Sequence, residues 1–423
     1  MHQSFLRTAL VLGLLSAVGP LGIDLYLPAL PLIGQDLQAS IGAVQASLML
    51  FFIALGVGQL IYGPVSDMVG RKPPLYFGLT LFAIGSIGCA FAPNVEFLLF
   101  MRFFQGLGAC ACTVIPRAVV RDLYTGHEAV RMMSMLILVF SVAPILAPLI
   151  GSLLIEALGW RSSFWGMLGA GLLGLLLMAT QLRETRPLAV REAERSARST
   201  PGGAGASGNW SVVWQSYRKL LKDRHFLGVV FIGAFGISAF FTYLANSSFV
   251  LINHYGLTPR QFSIAFASNA AAFIGMSQLT SRLSRRFGLK PMVRMAAHGH
   301  AAVMLTLLLL FALGVEALPV MLALLFIGFG FLGLIVPASA ILALEDHGPI
   351  AGTASALLGT LQFGTGALMI AISGQVANGA GLPMIACIAG ASAMTWLFAQ
   401  TTLRKGKREN AVVEVPTKAS ART

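Results

Sequence analysis

Charge is what this sequence has least of, and negative charge inside its apolar runs is rarer still. Only 11% of its 423 residues are Asp, Glu, Lys or Arg, against 56% hydrophobic. Soluble domains carry about a quarter charged residues, so this balance describes a polytopic membrane protein. Four cysteines, Cys89, Cys110, Cys112 and Cys387, all lie in apolar segments. They offer neither a disulfide framework nor a metal site, since a thiol there behaves as a small hydrophobe. No group of His, Asp, Glu or Cys stands at catalytic or metal-ligand spacing, which argues against a membrane-bound enzyme. A channel is disfavoured because the outer loops are short and nearly charge-free, without charged rings or filter segments. A sensor is disfavoured by the want of a soluble domain: the one long polar stretch is too short and too flexible in composition to fold alone. Continuous apolar runs at residues 172–178 and 305–313 exclude a transmembrane barrel, whose strands alternate over about ten residues.

What is present is a series of apolar runs of about 20 residues, the length that crosses a bilayer as a helix. They begin near Phe5, Ile41, Leu75, Phe97, Met132, Ser162, His225, Phe262, Met292, Val320, Ala351 and Pro383. The expected fold is all-α, with twelve transmembrane helices. Helices satisfy their own backbone, as lipid requires. The first of them resembles a cleaved signal peptide in composition, but Pro20 and the immediate return to membrane favour an uncleaved span.

The placement of basic residues orients the chain. With the N-terminus inside, only Arg161 and Arg260 of the 29 basic residues fall in outer loops. Arg71, Lys72, Arg121, Arg131, the stretch 183–224, the stretch 282–294 and the cluster 404–408 all fall inside, as the positive-inside rule demands. Both termini are therefore expected in the cytoplasm. The net charge of +13 is a topology signal, and no nucleic-acid partner is expected, because no aromatic residues interleave with the basic ones.

The chain divides at residues 183–224, a polar linker that includes a segment rich in glycine, alanine and serine from Pro201 to Gly208. On this division, residues 1–182 form one six-helix bundle, 225–403 a second, and 404–423 a cytoplasmic tail. Residues 210–222 mix Trp214 and Tyr217 with Arg218, Lys219 and Lys222, a composition suited to the inner membrane surface. The halves also repeat. Gly63-Pro-Val-Ser-Asp-Met-Val-Gly-Arg-Lys-Pro73 and Ser281-Arg-Leu-Ser-Arg-Arg-Phe-Gly-Leu-Lys-Pro291 share Ser, Gly, Lys and Pro at one offset. Asp67 in the first copy faces Arg285 in the second.

The first of these loops resembles the signature of the major facilitator superfamily, and almost the whole chain fits that plan of two pseudo-symmetric six-helix bundles. Three blocks resemble the bicyclomycin/chloramphenicol-resistance (Bcr/CflA) branch of its drug/proton antiporters: Ile23-Asp-Leu-Tyr-Leu-Pro-Ala-Leu-Pro31, Gln59-Leu-Ile-Tyr-Gly-Pro-Val-Ser-Asp67 and Arg117-Ala-Val-Val-Arg-Asp-Leu-Tyr124. The fifth run, Ala143-Pro-Ile-Leu-Ala-Pro-Leu-Ile-Gly-Ser152, resembles the antiporter signature, with Ala147 and Ser152 in place of its usual glycines. The block Arg102-Phe-Phe-Gln-Gly-Leu-Gly108 resembles the fourth-helix motif linked with proton transfer. The resemblance implies export of a small amphipathic drug in exchange for protons, driven by the proton-motive force with no cofactor. It places the protein in a bacterial inner membrane among lipids, and nothing requires more than a monomer. Export of a metabolite such as a nucleoside or sugar is the other reading.

The residues give these expectations physical content. Asp24 is the one carboxylate well inside an apolar run, and a buried acid in lipid needs a reason. It lies four residues before Pro28, about 6 Å from the expected outer end of its helix. Arg102 lies at a similar depth, about 8 Å inside. Desolvation and a movable Arg pull an acid's proton affinity in opposite directions, so Asp24 and Arg102 are the expected proton-coupling pair. Arg102 as a headgroup anchor and Asp24 as a cap on broken backbone are the structural alternatives. Gly63, Asp67, Gly70, Arg71 and Lys72 are expected to form a cytoplasmic gate. Its glycines would allow a tight turn, and Asp67 would meet the N-terminus of the eleventh helix near Gly348 to Thr353. Pro144, Pro148 and Gly151 keep a small, bent face for gating. Tyr26, Gln105, Phe240, Phe241, Tyr243 and Asn246 are the candidate substrate contacts, as transporter sites sit between the repeats near midplane. Gln45 and Gln362 are weaker candidates. His298 and His300 are expected near the inner end of the ninth helix, facing water or packed, and not in proton transfer.

Overall fold

A computed structural model describes residues 5–189, 192 and 210–403. Most of the linker, the Pro201 to Gly208 segment and the basic tail at 404–423 lie outside the described residues. Twelve spans are long and apolar enough to cross a bilayer, and no strand occurs among the described residues. The first half comprises α1 (Phe5–Asp24) and α2 (Leu30–Asp36), joined by a 3-10 turn at Leu27–Ala29, then α3 (Ile41–Val69), α4 (Lys72–Ala90), α5 (Val95–Leu123), α6 (Gly126–Leu158) and α7 (Arg161–Gln181). After the short helix α8 (Trp210–Lys222) come α9 (Arg224–Ser248, continued by a π turn at Phe249–His254), α10 (Pro259–Phe287), α11 (Leu289–Ala312), α12 (Leu318–Glu345), α13 (Ala351–Val376) and α14 (Gly381–Thr402).

Helix ends follow local chemistry, and several lie outside the apolar runs that hydropathy alone marks. Ser40 caps α3 by accepting from the Ala43 N–H at 3.2 Å, and Asn94 caps α5 through Phe97 at 2.9 Å. Thr258 and Gln261 form a reciprocal capping box on α10. Gly70 and Gly288 close α3 and α10 with φ of +99° and +81°, values that suit glycine. These two glycines occupy the same offset in the repeated motif, so both copies end a helix in the same way. Most of the expected gate loop is helical: residues 63–69 are the last two turns of α3, and only Gly70 and Arg71 make the turn. Hydropathy cuts the helix where polar residues begin, but the backbone continues past that point.

Helices α1 and α3 to α7 pack among themselves, as do α9 to α14, giving two six-helix bundles that meet along the seams α3/α13 and α6/α10. Small residues make the first seam close. A Cβ on Gly42 would stand 2.7 Å from the Gly374 carbonyl oxygen, and one on Gly359 would collide with Gln59. The end of the bundles that holds the α3–α4 and α10–α11 turns is the basic end. Among the described residues three hydrogen bonds tie the bundles together: Gln45 Nε2 to Asn246 Oδ1 at 2.8 Å, Ser263 Oγ to the Pro148 carbonyl at 2.8 Å, and Thr360 Oγ1 to the Gly56 carbonyl at 2.8 Å. The first two lie toward the end opposite the basic one and the third near mid-span. Toward the basic end the seam opens, for neither Gly63 nor Gly352 has an atom within 4 Å of where a Cβ would sit. Helix α8 rests on α9 and α13 with Val213, Tyr217 and Leu220 buried, while Trp214 and Leu221 stay exposed.

Candidate functional site: a buried acid and arginine in the first bundle

Asp24 is the last residue of α1 and is buried, with 3% of its surface exposed. Its helix does not end the span. Pro28 opens the 3-10 turn and Pro31 sits in the first turn of α2, both places where proline's missing N–H costs nothing. The span therefore runs on to Asp36, and Asp24 lies about 18 Å from that end along the axis, not about 6 Å. This puts the acid near the middle of the membrane.

Arg102 on α5 is fully buried. Its Nη1 donates to the Gly22 carbonyl at 2.9 Å and to Gln105 Oε1, and its guanidinium lies 4.3 Å from the ring centroids of both Tyr26 and Phe51. Two aromatic faces and a carbonyl thus replace water around the cation. Gln105 passes the network on to Ser86 Oγ at 2.7 Å, and Tyr26 OH lies 3.0 Å from Ser47 Oγ. Arg102 Nε and Nη2 have no partner, and among the described residues no hydrogen bond or ion pair reaches Asp24. Arg102 is tied to the α1 backbone two residues from the acid, and among the described residues the two side chains form no ion pair.

At the basic end, Arg71 is the hub. It is 4% exposed and bonds Asp67 at 2.7 Å, Asp122 at 2.7 and 3.1 Å, and Ser66 at 2.8 Å. Burial works against its charge, but Asp122 and Asp67 outweigh that and hold its pKa above the ordinary arginine value. Glu184 accepts from the Arg71 and Lys72 backbone N–H groups at 2.8 and 2.9 Å, capping α4 with a carboxylate where the helix dipole favours one. Lys72 Nζ donates to the Leu182 carbonyl at 2.9 Å, and Arg186 Nη1 to Asp67 Oδ1 at 2.8 Å. In this state Asp67 is bound within its own bundle, and its partners are Arg71 and Arg186, not the start of α13. Sequence reading overlooked Asp122, Glu184 and Arg186. The signal was available in two acids flanked by basic residues at helix ends, where uncompensated positive charge needs partners.

The remaining candidates separate into groups. On α6, Gly151 meets the Leu25 carbonyl so closely that a Cβ would stand 1.9 Å from it, and Pro148 supplies the carbonyl bonded by Ser263. Pro144 lies one turn nearer the basic end, and α6 continues through both prolines. Phe241 sits between the bundles, 4.4 Å from Phe52 and 5.7 Å from Phe363 by ring centroids. Phe240 and Tyr243 instead pack inside the second bundle against Phe266 and Phe329, and Tyr243 OH accepts from Asn269 at 2.9 Å. Asn246 bridges Gln45 to Ser373, while Gln362 is half-buried on α13. His298 is exposed near Gln400. His300 is buried within the second bundle, with Nδ1 on the Gly328 carbonyl and Nε2 2.8 Å from Ser392 Oγ, so it is packed and not water-facing.

Comparison with known proteins identifies the family and agrees with the fold. The family model described as Major Facilitator Superfamily matches residues 12–371. The chain is 37% identical over 374 residues to an uncharacterized MFS-type transporter of Bacillus subtilis, covering 87% of this chain and 89% of that one. It is 30% identical to a bicyclomycin resistance protein homolog of Haemophilus influenzae, covering 89% of this chain and 91% of the other. A chloramphenicol resistance protein of Pseudomonas aeruginosa is 28% identical, over 70% of this chain and 66% of the relative. Among solved structures, a D-xylose-proton symporter superposes with a TM-score of 0.71 at 17% identity, covering 95% of this chain and 98% of the symporter. That last likeness concerns the fold alone. The chain belongs to the Major Facilitator Superfamily, in its bicyclomycin- and chloramphenicol-resistance branch.

Proposed function

We propose that this protein exports small amphipathic drugs from a bacterial cell by exchanging them for protons through alternating access. The observation that carries the reading is Asp24, a carboxylate buried well inside its span with no ion-pair partner among the described residues, on the helix whose Gly22 carbonyl, with two rings, holds the buried Arg102. Desolvation favours a neutral acid and an approaching guanidinium favours release of its proton, so a change in the distance between Arg102 and Asp24 would load or unload it. Proton loading from one side and drug binding from the other then favour opposite-facing states. The basic end faces the cytoplasm by the positive-inside rule, which places both termini there and makes the structure inward-open. When that end closes, Asp67 meets the N-terminus of α13, and Gly70, Arg71 and Lys72 hold the turn that presents it. Residues 1–182 and 225–403 act as the two rocking bodies in a monomer. The names of two relatives, bicyclomycin resistance and chloramphenicol resistance, support drugs over metabolites as cargo.

The test is proton release from energised inverted vesicles on addition of phenicol-like, bicyclomycin-like and nucleoside compounds. The native chain should collapse the pH gradient with a drug, and Asp24→Asn should lose that response while still binding the drug. A response to nucleosides alone would favour metabolite export. An unchanged response in Asp24→Asn would remove the acid from the mechanism.

A further inference from the structure

Two basic side chains on α5 take no part in the networks above. Arg117 and Arg121 are exposed, one turn apart, and among the described residues neither has a hydrogen bond or an ion pair. Arg117 lies six residues from the end of α5 at Leu123, about 9 Å into the span. An arginine there without a partner is tolerated only if it faces water.

The contacts of α5 show which way it faces. Cys110 Sγ donates to the Leu55 carbonyl on α3, and a Cβ on Gly19 of α1 would touch Thr113. At about 100° per residue, Arg117 projects between those two directions and Arg121 about 40° beyond it toward α3. Exposed Phe97 and Phe100 mark the lipid side of α5, roughly 100 to 160° away around the helix. The direction between α1 and α3 points at the second bundle, on the end where the α3/α13 seam is open. Both arginines therefore line the vestibule through which cargo enters. The charges opposing them are few. In the described spans every acid except Asp24 lies at a helix end, where Asp36 pairs with Arg161 and both Asp67 and Asp122 pair with Arg71.

We infer that Arg117, with Arg121, makes the vestibule a charge filter that admits anionic and neutral amphipathic compounds and rejects lipophilic cations. The inference rests on the efflux reading above and names its substrate class. At about 6 Å in a water-filled vestibule, a single charge pair alters affinity about threefold in either direction, so ions of equal size and opposite charge separate about tenfold. The filter lies on the order of 22 Å along α5 from Arg102, so it selects before cargo meets the proton site.

Tetraphenylborate and tetraphenylphosphonium, matched in size and opposite in charge, test this on the purified full chain by competitive equilibrium dialysis. The native protein should prefer the borate by about tenfold, Arg117→Lys should keep that preference, Arg117→Gln should shrink it to about threefold or less, and Arg117→Glu should reverse it. A native preference for the phosphonium overturns the inference. So does an unchanged ratio in the Gln and Glu variants when their elution and melting match the native chain. Because dialysis needs no proton gradient, a filter without drug-driven proton release sinks the efflux reading alone, and proton release without charge preference sinks the filter alone.

Discussion

Arg186 reaches back from the segment after α7 to bond Asp67 at 2.8 Å, on the same carboxylate oxygen that Arg71 holds at 2.7 Å. The acid expected to meet α13 is thus already neutralised by Arg71 of its own bundle and Arg186 of the adjoining linker. Closing the basic end requires α13 to compete with Arg186 for it. Arg186→Ala should tip the equilibrium toward the closed basic end. A cysteine placed at Gly63, where the α3/α13 seam is open, should then react about three times more slowly with an impermeant maleimide in inside-out vesicles. Equal or faster labelling would show that Arg186 does not oppose closure.

The opposite end is held by Gln45 and Asn246. Gln45 Oε1 is buried without a partner, so its Nε2 bond to Asn246 is the amide's one contact. Asn246→Ala removes that contact and leaves a bare buried amide, at about 1–3 kcal/mol against the closed state. Labelling of a cysteine at Ile41 from the outside should rise about tenfold. A rise no larger than that given by Asn269→Ala, inside the second bundle, would assign the effect to general loosening.

Three glycines make a graded stability series. A Cβ at Gly151 would stand 1.9 Å from the Leu25 carbonyl oxygen and one at Gly106 2.6 Å from that of Phe51, both backbone atoms that cannot yield cheaply. Alanine at either should cost about 1–3 kcal/mol or more and lower the melting temperature in detergent by several degrees. At Gly63, inside α3, a Cβ meets nothing within 4 Å. Gly63→Ala should melt at or above the native temperature, since alanine favours a helix interior by about 0.5–1 kcal/mol. A large loss at Gly63 would mean that the position is crowded in the other transport state.

Asp223 caps α9 and carries a pH signature. The Phe226 backbone N–H, then that of His225, and His347 lower its pKa, and together they outweigh burial. Its folded pKa is depressed, so its contribution is present above the ordinary aspartate range and is lost as pH falls through the depressed value. The His347 contact at 3.3 Å is partly exposed and adds little. Asp223→Ala should cost about 1 kcal/mol at neutral pH and Asp223→Asn much less. The gap in melting temperature between the native chain and Asp223→Ala should narrow as the solution is acidified; a constant gap would deny the carboxylate its role.

The spans were legible because twenty apolar residues have few other fates, and the turn at Gly70 because a glycine before a basic pair marks a helix end. The depth of Asp24 was misread because proline was taken as a terminator. At Pro28 and Pro31 each ring sits in the first turn of a new helical segment, where it begins structure. Aromatic residues next to one another on α9 could not be assigned by type. Phe240 and Phe241 are chemically identical, but only a difference of one residue in register sends one into its own bundle and the other to Phe52 across the divide. The Arg71 hub was half visible: its positive members stood in a motif, whereas Glu184 and Arg186 stood in a stretch whose composition suggested only flexibility.

The interruption between α1 and α2 makes the first span a jointed lever. Its long arm, α1, is bound to α5, α6 and α7, while the short turn beyond Asp24 rests on α6 and also touches α9 and α10 of the other bundle. A rotation of one bundle against the other pulls on the turn first and reaches the acid through its own backbone. Gly22, whose carbonyl holds Arg102, is two residues upstream. On the transport reading proposed above, the motion that closes one side of the membrane would tug on the bond that positions the arginine, so mechanical work and proton affinity would share a single stretch of five residues.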